Sequence, residues 1–270
     1  MPGAPGGEEK PKSTDKSVCA TEFAEDGKRC EELKSVRVEE WKAEAIGMGY
    51  ETEVKLRIED VQALRRTLKR VGAQLVGPGR GRVHEMNLIF DTPQGGLAKH
   101  GQLLRIRTET PEGGKRGKAG KGAPRVVLTF KSPPKKLAMG EAAPSVQDRR
   151  YKVRQEIEVV LTDAAALKKI FEGLGLRGWF RYEKYRTTYR LPGRVKWAQG
   201  LLLELDETPV GTFLELEGPG EAIDRAAKEL GYGTKDYIVK NYLVLYVEDC
   251  RRRGVAAGDM VFGGGRSLKL

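Results

Sequence analysis

The stretch Glu51-Thr52-Glu53-Val54-Lys55-Leu56-Arg57-Ile58 sets acids and bases at every second position. Side chains of an extended strand alternate between two faces. Glu51, Glu53, Lys55 and Arg57 therefore share one face, and Thr52, Val54, Leu56 and Ile58 the other. Carboxylates on such a face offer oxygen ligands to a hard divalent cation. The cations beside them offer charge-assisted hydrogen bonds to a polyanion. The pattern returns along the chain. Leu104-Arg105-Ile106-Arg107 puts two arginines on one face, Val126 to Lys131 is apolar and ends in a lysine, and Arg154-Gln155-Glu156-Ile157-Glu158-Val159 again alternates. Arg181 to Leu191 carries Glu183, Lys184, Arg186, Thr188 and Arg190, while Leu203-Glu204-Leu205-Asp206 and Phe213-Leu214-Glu215-Leu216-Glu217 each hold two acids at i and i+2. A wet sheet face is usually rich in Thr, Ser and Gln. This shared face is almost purely Glu, Asp, Lys and Arg, which suits a charged lining.

Strands with one apolar and one charged face can curl so that the charged faces line a tunnel and the apolar faces meet helices outside. Charges placed inside must be compensated. The inward candidates are eight acids (Glu51, Glu53, Glu156, Glu158, Glu204, Asp206, Glu215, Glu217) and eight bases (Lys55, Arg57, Arg105, Arg107, Lys131, Arg154, Lys184, Arg186). Such a lining is balanced without a ligand, yet can accept a cation and an anion together. Arginine and lysine match the oxygens of a linear triphosphate, and pairs such as Glu215 and Glu217 suit Mg²⁺ or Mn²⁺. The chemistry in view is metal-assisted phosphoryl transfer. No Ser-His-Asp or Cys-His arrangement competes. His84 and His100 fall outside the charged strands and read as surface or structural residues.

Three helices separate the strands. Asp60 can cap a helix over 61–71, with Val61, Leu64, Leu68 and Val71 at helical spacing and Gly72 as the stop. Thr162 or Asp163 can cap 164–174, with Leu167, Ile170, Phe171 and Leu174 on one stripe. A third covers 222–230, with Ile223, Ala226, Ala227 and Leu230 inward. The rhythm argues an α+β fold with an antiparallel sheet. Residues 1–46 are polar, without sustained apolar periodicity, and read as a mostly disordered extension, and 251–270 as a flexible tail. The Gly- and Lys-rich segment 111–124 reads as a long hairpin loop and 135–150 as a linker. Between the tails, 47–250 reads as one domain.

The net charge of +11 favours polyanionic partners. Aromatic residues make up only 7%, so no stacking platform for single-stranded nucleic acid is visible, which disfavours nucleic acid. No apolar run approaches the ~20 residues needed to span a bilayer, so no membrane partner is expected. The cysteines Cys19, Cys30 and Cys250 lack C-x-x-C spacing and are odd in number, so a reducing cytoplasm is the simplest setting.

Glu51-Thr52-Glu53-Val54-Lys55 fits an E-x-E-x-K signature. It is followed in order by Phe90-Asp91-Thr92-Pro93, Leu104-Arg105-Ile106-Arg107, Leu128-Thr129-Phe130-Lys131, Glu156-Ile157-Glu158, Glu183-Lys184-Tyr185-Arg186, Leu205-Asp206-Glu207 and Phe213-Leu214-Glu215-Leu216-Glu217. Over roughly residues 48 to 250 the chain resembles the CYTH superfamily of triphosphate tunnel metalloenzymes, in particular the bacterial class IV adenylyl cyclase (CyaB-type) branch. The resemblance implies an eight-stranded antiparallel β-barrel with helices packed outside. It implies that Lys55, Arg105, Arg107, Lys131, Lys184 and Arg186 grip the triphosphate. Glu51, Glu53, Glu215 and Glu217 would hold Mg²⁺ or Mn²⁺, with Glu156, Glu158, Glu204 and Asp206 completing the acidic side. Lys240, before a C-terminal strand at Tyr242–Val247, stands where the family often has a further base. The expected ligand is tripolyphosphate, ATP or thiamine triphosphate. The expected reaction is hydrolysis, with adenylyl cyclisation as the alternative and a non-catalytic polyphosphate- or RNA-binding module as a further one. A homodimer is compatible with this reading.

Overall fold

The computed structural model describes residues 47–77, 81–112, 123–133 and 149–263. The expectations for 1–46, for most of the 111–124 loop and the 135–150 linker, and for 264–270 lie outside the described residues. Nine strands form one sheet: β1 (Gly47–Ile58), β2 (Gln74–Val76), β3 (Arg82–Asp91), β4 (Leu103–Pro111), β5 (Arg125–Ser132), β6 (Lys152–Leu161), β7 (Arg177–Arg190), β8 (Leu202–Thr208) and β9 (Gly211–Glu217). The order is β2-β7-β3-β4-β5-β6-β1-β9-β8, and a further β7–β8 pairing closes the ring. Eight strands make the closed antiparallel barrel. β2 pairs with the C-terminal end of β7, where Gln74 opposes Arg190.

The alternation read from the sequence sorts the side chains. On the outer face Val54, Leu56 and Ile58 of β1 join Leu203, Leu205, Leu214 and Leu216 of β8 and β9. Two helices cover them: α1 (Val61–Arg70), through Leu64 and Leu68, and a helix at Gly220–Glu229, through Ile223, Ala226 and Ala227. Each fully buried Leu or Ile is worth about 1.5–3 kcal/mol, so this cluster holds the strands that carry the acids. A second outer cluster sets Phe90, Ile106 and Val126 against Phe171 of the helix at Ala164–Gly173. The caps are as expected, since Asp60 accepts from the Ala63 N–H at 2.8 Å and Asp163 from Ala165 and Ala166. With the short α2 (Gly96–Lys99) ahead of them, these two later helices are α3 (164–173) and α4 (220–229).

Several expectations are corrected. Tyr242–Val247 is not a strand but the start of helix α5 (Tyr242–Arg253). Its residues favour strands locally, yet Asn241 accepts from the Val244 N–H at 2.9 Å, and Gly254 ends the helix in the left-handed region at φ 67°. Tyr242 and Leu245 then bury one helical face against Phe180, Tyr182 and Phe213. The eighth barrel strand is instead β3, whose mixed inward set hid the alternation. The expected domain end at 250 falls inside α5, and the tail is partly docked: Met260 is fully buried, and its N–H bonds to the Arg181 carbonyl. On α3 only Phe171 is buried. Ile170 and Leu174 are 57% and 72% exposed, because the barrel meets this helix along a narrow seam.

Candidate active site inside the barrel

The barrel interior holds a cavity of ≈ 400 Å³, within the range of small-molecule sites. β1 contributes Glu51, Glu53 and Lys55, β4 Arg105 and Arg107, and β5 Lys131. Lys152, Arg154, Glu156 and Glu158 come from β6, Lys184 and Arg186 from β7, and Glu204, Glu215 and Glu217 from β8 and β9. The i, i+2 spacing does this work: register sets Glu53 opposite Glu217 and Lys55 opposite Glu215, so like and unlike charges alternate around the ring.

Among the described residues every cation of the lining except Arg154, which donates to the Gly101 carbonyl at 2.9 Å, has a carboxylate partner. Lys55 Nζ lies 3.0 Å from both Glu53 and Glu215. Lys131 bridges Glu51 and, at 3.1 Å, Glu156, while Lys152 pairs with Glu53. Arg107 donates to Glu158 at 3.1 Å, and Arg105 donates to Tyr182 at 3.0 Å and Thr129 at 3.1 Å. Arg186 is ringed by Glu85, Glu204, Asp206 and Glu215. These groups are buried, so each charge depends on its neighbours.

The acids divide accordingly. Burial pushes Glu53 up, but Lys55, Lys152 and Lys131 outweigh it and hold the carboxyl well below its ordinary value. Glu215 is likewise held low, against burial, by Lys55, Arg186 and Lys184. Glu217 goes the other way: burial, then the Glu204 and Glu51 carboxylates, push it up to about 8. Burial also pushes Glu204 up to about 7, with Arg186 opposing and Asp206 and Glu215 adding to the rise. Burial and Glu53 raise Glu51 despite Lys131. Lys131 rises to about 12 against burial through Glu51, Glu53 and Glu156. One wall thus holds more carboxylates than its cations neutralise, and protons make up the difference.

The donor set fits a hard divalent cation, being all carboxylate oxygen on the wall of Glu51, Glu53, Glu204, Glu215 and Glu217. Among the described residues, no three of His, Cys, Asp and Glu close on a common point as the side chains stand. An ion would take over positions now filled by ammonium groups and protons.

Three expected site residues lie elsewhere. Arg57 is exposed at the end of β1; its guanidinium sits 4.7 Å from the Phe213 ring centroid and does not line the cavity. The inward position beside it is occupied by aromatic packing, so the charged alternation outruns the cavity. Lys240 points away and pairs with Glu248 at 2.7 Å, because α5 replaces the expected strand. Asp206 is inside but off the cavity surface. It is fully buried, and it accepts from Lys184 at 2.8 Å, from Arg186 Nε at 2.7 Å and from the Tyr242 hydroxyl at 2.7 Å. The other expected residues come together in the lining.

The structure adds Glu85, buried at 3.5 Å from Lys184 and held at about 2, against burial, by Lys184, Arg186 and Arg107. It also adds Asn87, fully buried, and Lys152, whose ammonium is disfavoured by burial although Glu53 pairs with it. Lys152 shares the parity of Arg154, Glu156 and Glu158, which was legible; Glu85 and Asn87 needed β3 to be placed. The Phe90-Asp91-Thr92-Pro93 motif frames the cavity mouth. Asp91 accepts from the Thr92, Leu97 and Ala98 N–H groups, and Thr92 Oγ1 accepts from Gly96 at 2.8 Å. This fold-back holds Gly101, Gln102 and Leu103 at the lining. His84 contacts Glu183 at 3.4 Å outside the cavity, and His100 contacts the Gly96 carbonyl. No helix among the described residues is long and apolar enough to cross a membrane.

Among solved structures, a candidate adenylate cyclase from Vibrio parahaemolyticus is 17% identical, covering 73% of this chain and 98% of its own, with a TM-score of 0.55. The PH1819 protein of Pyrococcus horikoshii OT3 is 21% identical over 74% of this chain and 99% of its own, also with a TM-score of 0.55. The PH1012 protein of the same organism reaches 0.50 at 21% identity, over 72% of this chain and 98% of its own. At such identities the likeness is one of fold: a closed eight-stranded antiparallel barrel with helices outside. No curated protein sequence matches the chain. The profile of the CYTH domain matches residues 49–242, a span that contains all of the cavity lining except Leu243. The chain therefore belongs to the CYTH domain family.

Proposed function

We propose that the protein is a divalent-metal-dependent enzyme that binds a triphosphate inside its barrel and hydrolyses it. One observation carries this reading: a single ≈ 400 Å³ cavity gathers Lys55, Arg105, Arg107, Lys131, Lys184 and Arg186 with seven glutamates and Asp91. A polyanion entering this space exchanges partners with the wall. Lys131, Arg107 and Arg186 turn from Glu51, Glu158 and Glu204 to phosphate oxygens, which arginine and lysine meet with charge-assisted bonds. Glu51, so released, would hold Mg²⁺ or Mn²⁺ together with Glu53, Glu215 and Glu217, and such an ion neutralises charge on phosphoryl oxygens. Preorganised cations stabilise the charge that develops in the transition state at no further reorganisation cost. Lys55, fixed between Glu53 and Glu215, keeps its proton, because these carboxylates raise it although burial lowers it. It acts as a permanent positive charge rather than as a base.

Adenylyl cyclisation is the second reading. It uses the same grip, with a ribose hydroxyl rather than water attacking, and the apolar residues at the cavity mouth favour it over a third reading, a non-catalytic polyanion-binding module. A cytoplasmic setting is part of the proposal; Cys250 is a free, buried thiol. The test is a product assay with tripolyphosphate, thiamine triphosphate and ATP, each with Mg²⁺ or Mn²⁺. Metal-dependent release of phosphate supports hydrolysis and cyclic AMP supports the cyclase. Binding without turnover of any of the three would reject both.

A further inference from the structure

One cation of the lining stands outside the ion-pair network. Among the described residues Arg154 has no carboxylate partner; its Nη2 donates to the Gly101 carbonyl at 2.9 Å, and its Nε is buried with no partner at all. Burial disfavours its charge more than the neighbouring carboxylates Glu51, Glu53 and Glu156 support it. Its place along β6 adds to this. Arg107 meets Glu158 at 3.1 Å and Lys131 meets Glu156 at 3.1 Å, and Arg154 holds the next inward position of the same strand. Each step is two residues, or about 7 Å of strand. Gly101, to which Arg154 is tied, belongs with Gln102 and Leu103 to the cavity mouth. Three cations therefore run in line from the interior to the mouth, and only the outermost is not neutralised in place.

An anion that takes Arg107 and Lys131 must displace Glu158, Glu156 and Glu51, so part of each gain is offset. At Arg154 no carboxylate is displaced, and the folded chain already bears the desolvation of the guanidinium. A phosphoryl oxygen arriving there adds charge-assisted hydrogen bonds almost undiminished. We infer that Arg154 is a specificity-determining residue that reads the length of the phosphate chain. Two phosphoryl groups on the inner cations stop short of Arg154, a third reaches it, and the site so prefers a triphosphate to a diphosphate. The inference deepens the reading of a triphosphate cavity given above and rests on it. A diphosphate must forgo either Arg154 or one of the inner cations, which also favours release of a shortened product.

The test is a ratio of affinities for two chain lengths. Calorimetry of the full chain with tripolyphosphate and with pyrophosphate is run in chelator, where metal-dependent turnover is off. Wild type should bind tripolyphosphate about tenfold or more tighter than pyrophosphate, the lower range for one added hydrogen bond to a charged group. Arg154→Gln should weaken tripolyphosphate about 10- to 100-fold and leave pyrophosphate within twofold, so that the ratio collapses. Arg154→Lys, which keeps the charge without the fork, should recover part of it. Lys131→Ala, at an inner cation, should instead weaken both ligands. A role for Arg154 only in tethering the Gly101 turn would move both ligands alike, and retained pyrophosphate binding shows that the variant is folded. A wild-type ratio of one or less overturns the inference, as does binding of neither compound, or an equal loss or no loss for the two in Arg154→Gln. Length selection without metal-dependent turnover of any triphosphate would reject the proposed hydrolysis and leave the inference standing. Turnover of tripolyphosphate with the ratio unchanged in Arg154→Gln would do the reverse.

Discussion

Asp206 separates a metal ligand from a structural anchor. Sequence spacing placed it beside Glu204 on the acidic side, yet in the structure it is fully buried and its oxygens are taken by Lys184, Arg186 and Tyr242. Asp206→Asn keeps the shape and one acceptor but leaves two buried cations short of one negative charge. Breaking a buried ion pair costs about 3–5 kcal/mol. Arg186 still has Glu85, Glu204 and Glu215, and Lys184 still has Glu85 at 3.5 Å. The loss should therefore fall near the lower end, about 3 kcal/mol. With an m-value of about 3 kcal/mol per molar urea for a domain of this size, the unfolding midpoint drops by about 1 M. Affinity for a triphosphate should hold or rise, since the interior becomes more positive, and the Mg²⁺ dependence of activity should be unchanged. The assay pairs urea denaturation with a Mg²⁺ titration of turnover. A variant of near wild-type stability whose Mg²⁺ requirement has risen tenfold would refute this reasoning and restore Asp206 as a metal ligand.

Further outcomes can be checked. Lys131→Ala removes a cation that now bridges Glu51 and Glu156, and should weaken tripolyphosphate binding about 10- to 100-fold, as for a lost charged hydrogen bond; calorimetry showing unchanged affinity would contradict a basic lining at this position. Arg57→Ala should change kcat/KM less than twofold, because the side chain stacks on Phe213 outside the cavity, and a tenfold loss would return Arg57 to the site. Glu217 carries a folded-state pKa of about 8 against an ordinary value of 4.5. Its stabilising protonation is complete below pH 4.5 and is lost as pH rises through about 8. Metal-free protein should therefore lose stability across that window, and Mg²⁺, which displaces the proton, should bind more tightly as pH rises. Thermal unfolding with and without Mg²⁺ measures both, and a Glu217→Gln variant with the same pH slope as wild type would exclude Glu217 as the cause.

The barrel and most of its lining were legible in the chain because a strand's period of two is a local property. Glu51, Glu53 and Lys55, the arginine pair 105 and 107, and the acid pair 215 and 217 each announce an inward face without reference to any other strand. Asp60 and Asp163 marked helix starts for the same reason, since capping involves only the next turn. Where an element's face is set by what it meets, local pattern was a poor guide. Tyr242–Val247 has strand-like residues, but Asn241 and Gly254 delimit a helix whose Tyr242 and Leu245 reach a cluster made by β7, β9 and Met260. β3 carries the buried charge Glu85 and a buried amide, Asn87, without the run of alternating charges seen in β1, and only its pairing with β4 and β7 shows that it completes the ring.

Sequence alone determined the inward parity of the charged strands and that the charges it assigned to that face nearly balance. Only the tertiary structure decided which of those residues touch the shared space. Closing the sheet sets Asp206 behind Lys184 and Arg186 and leaves Arg57 beyond the aromatic plug. It also brings Trp179 to the mouth beside Leu243. The physical reason is that parity along one strand gives a direction, whereas depth in a cavity depends on the stagger of every strand and on the helix packed against its end.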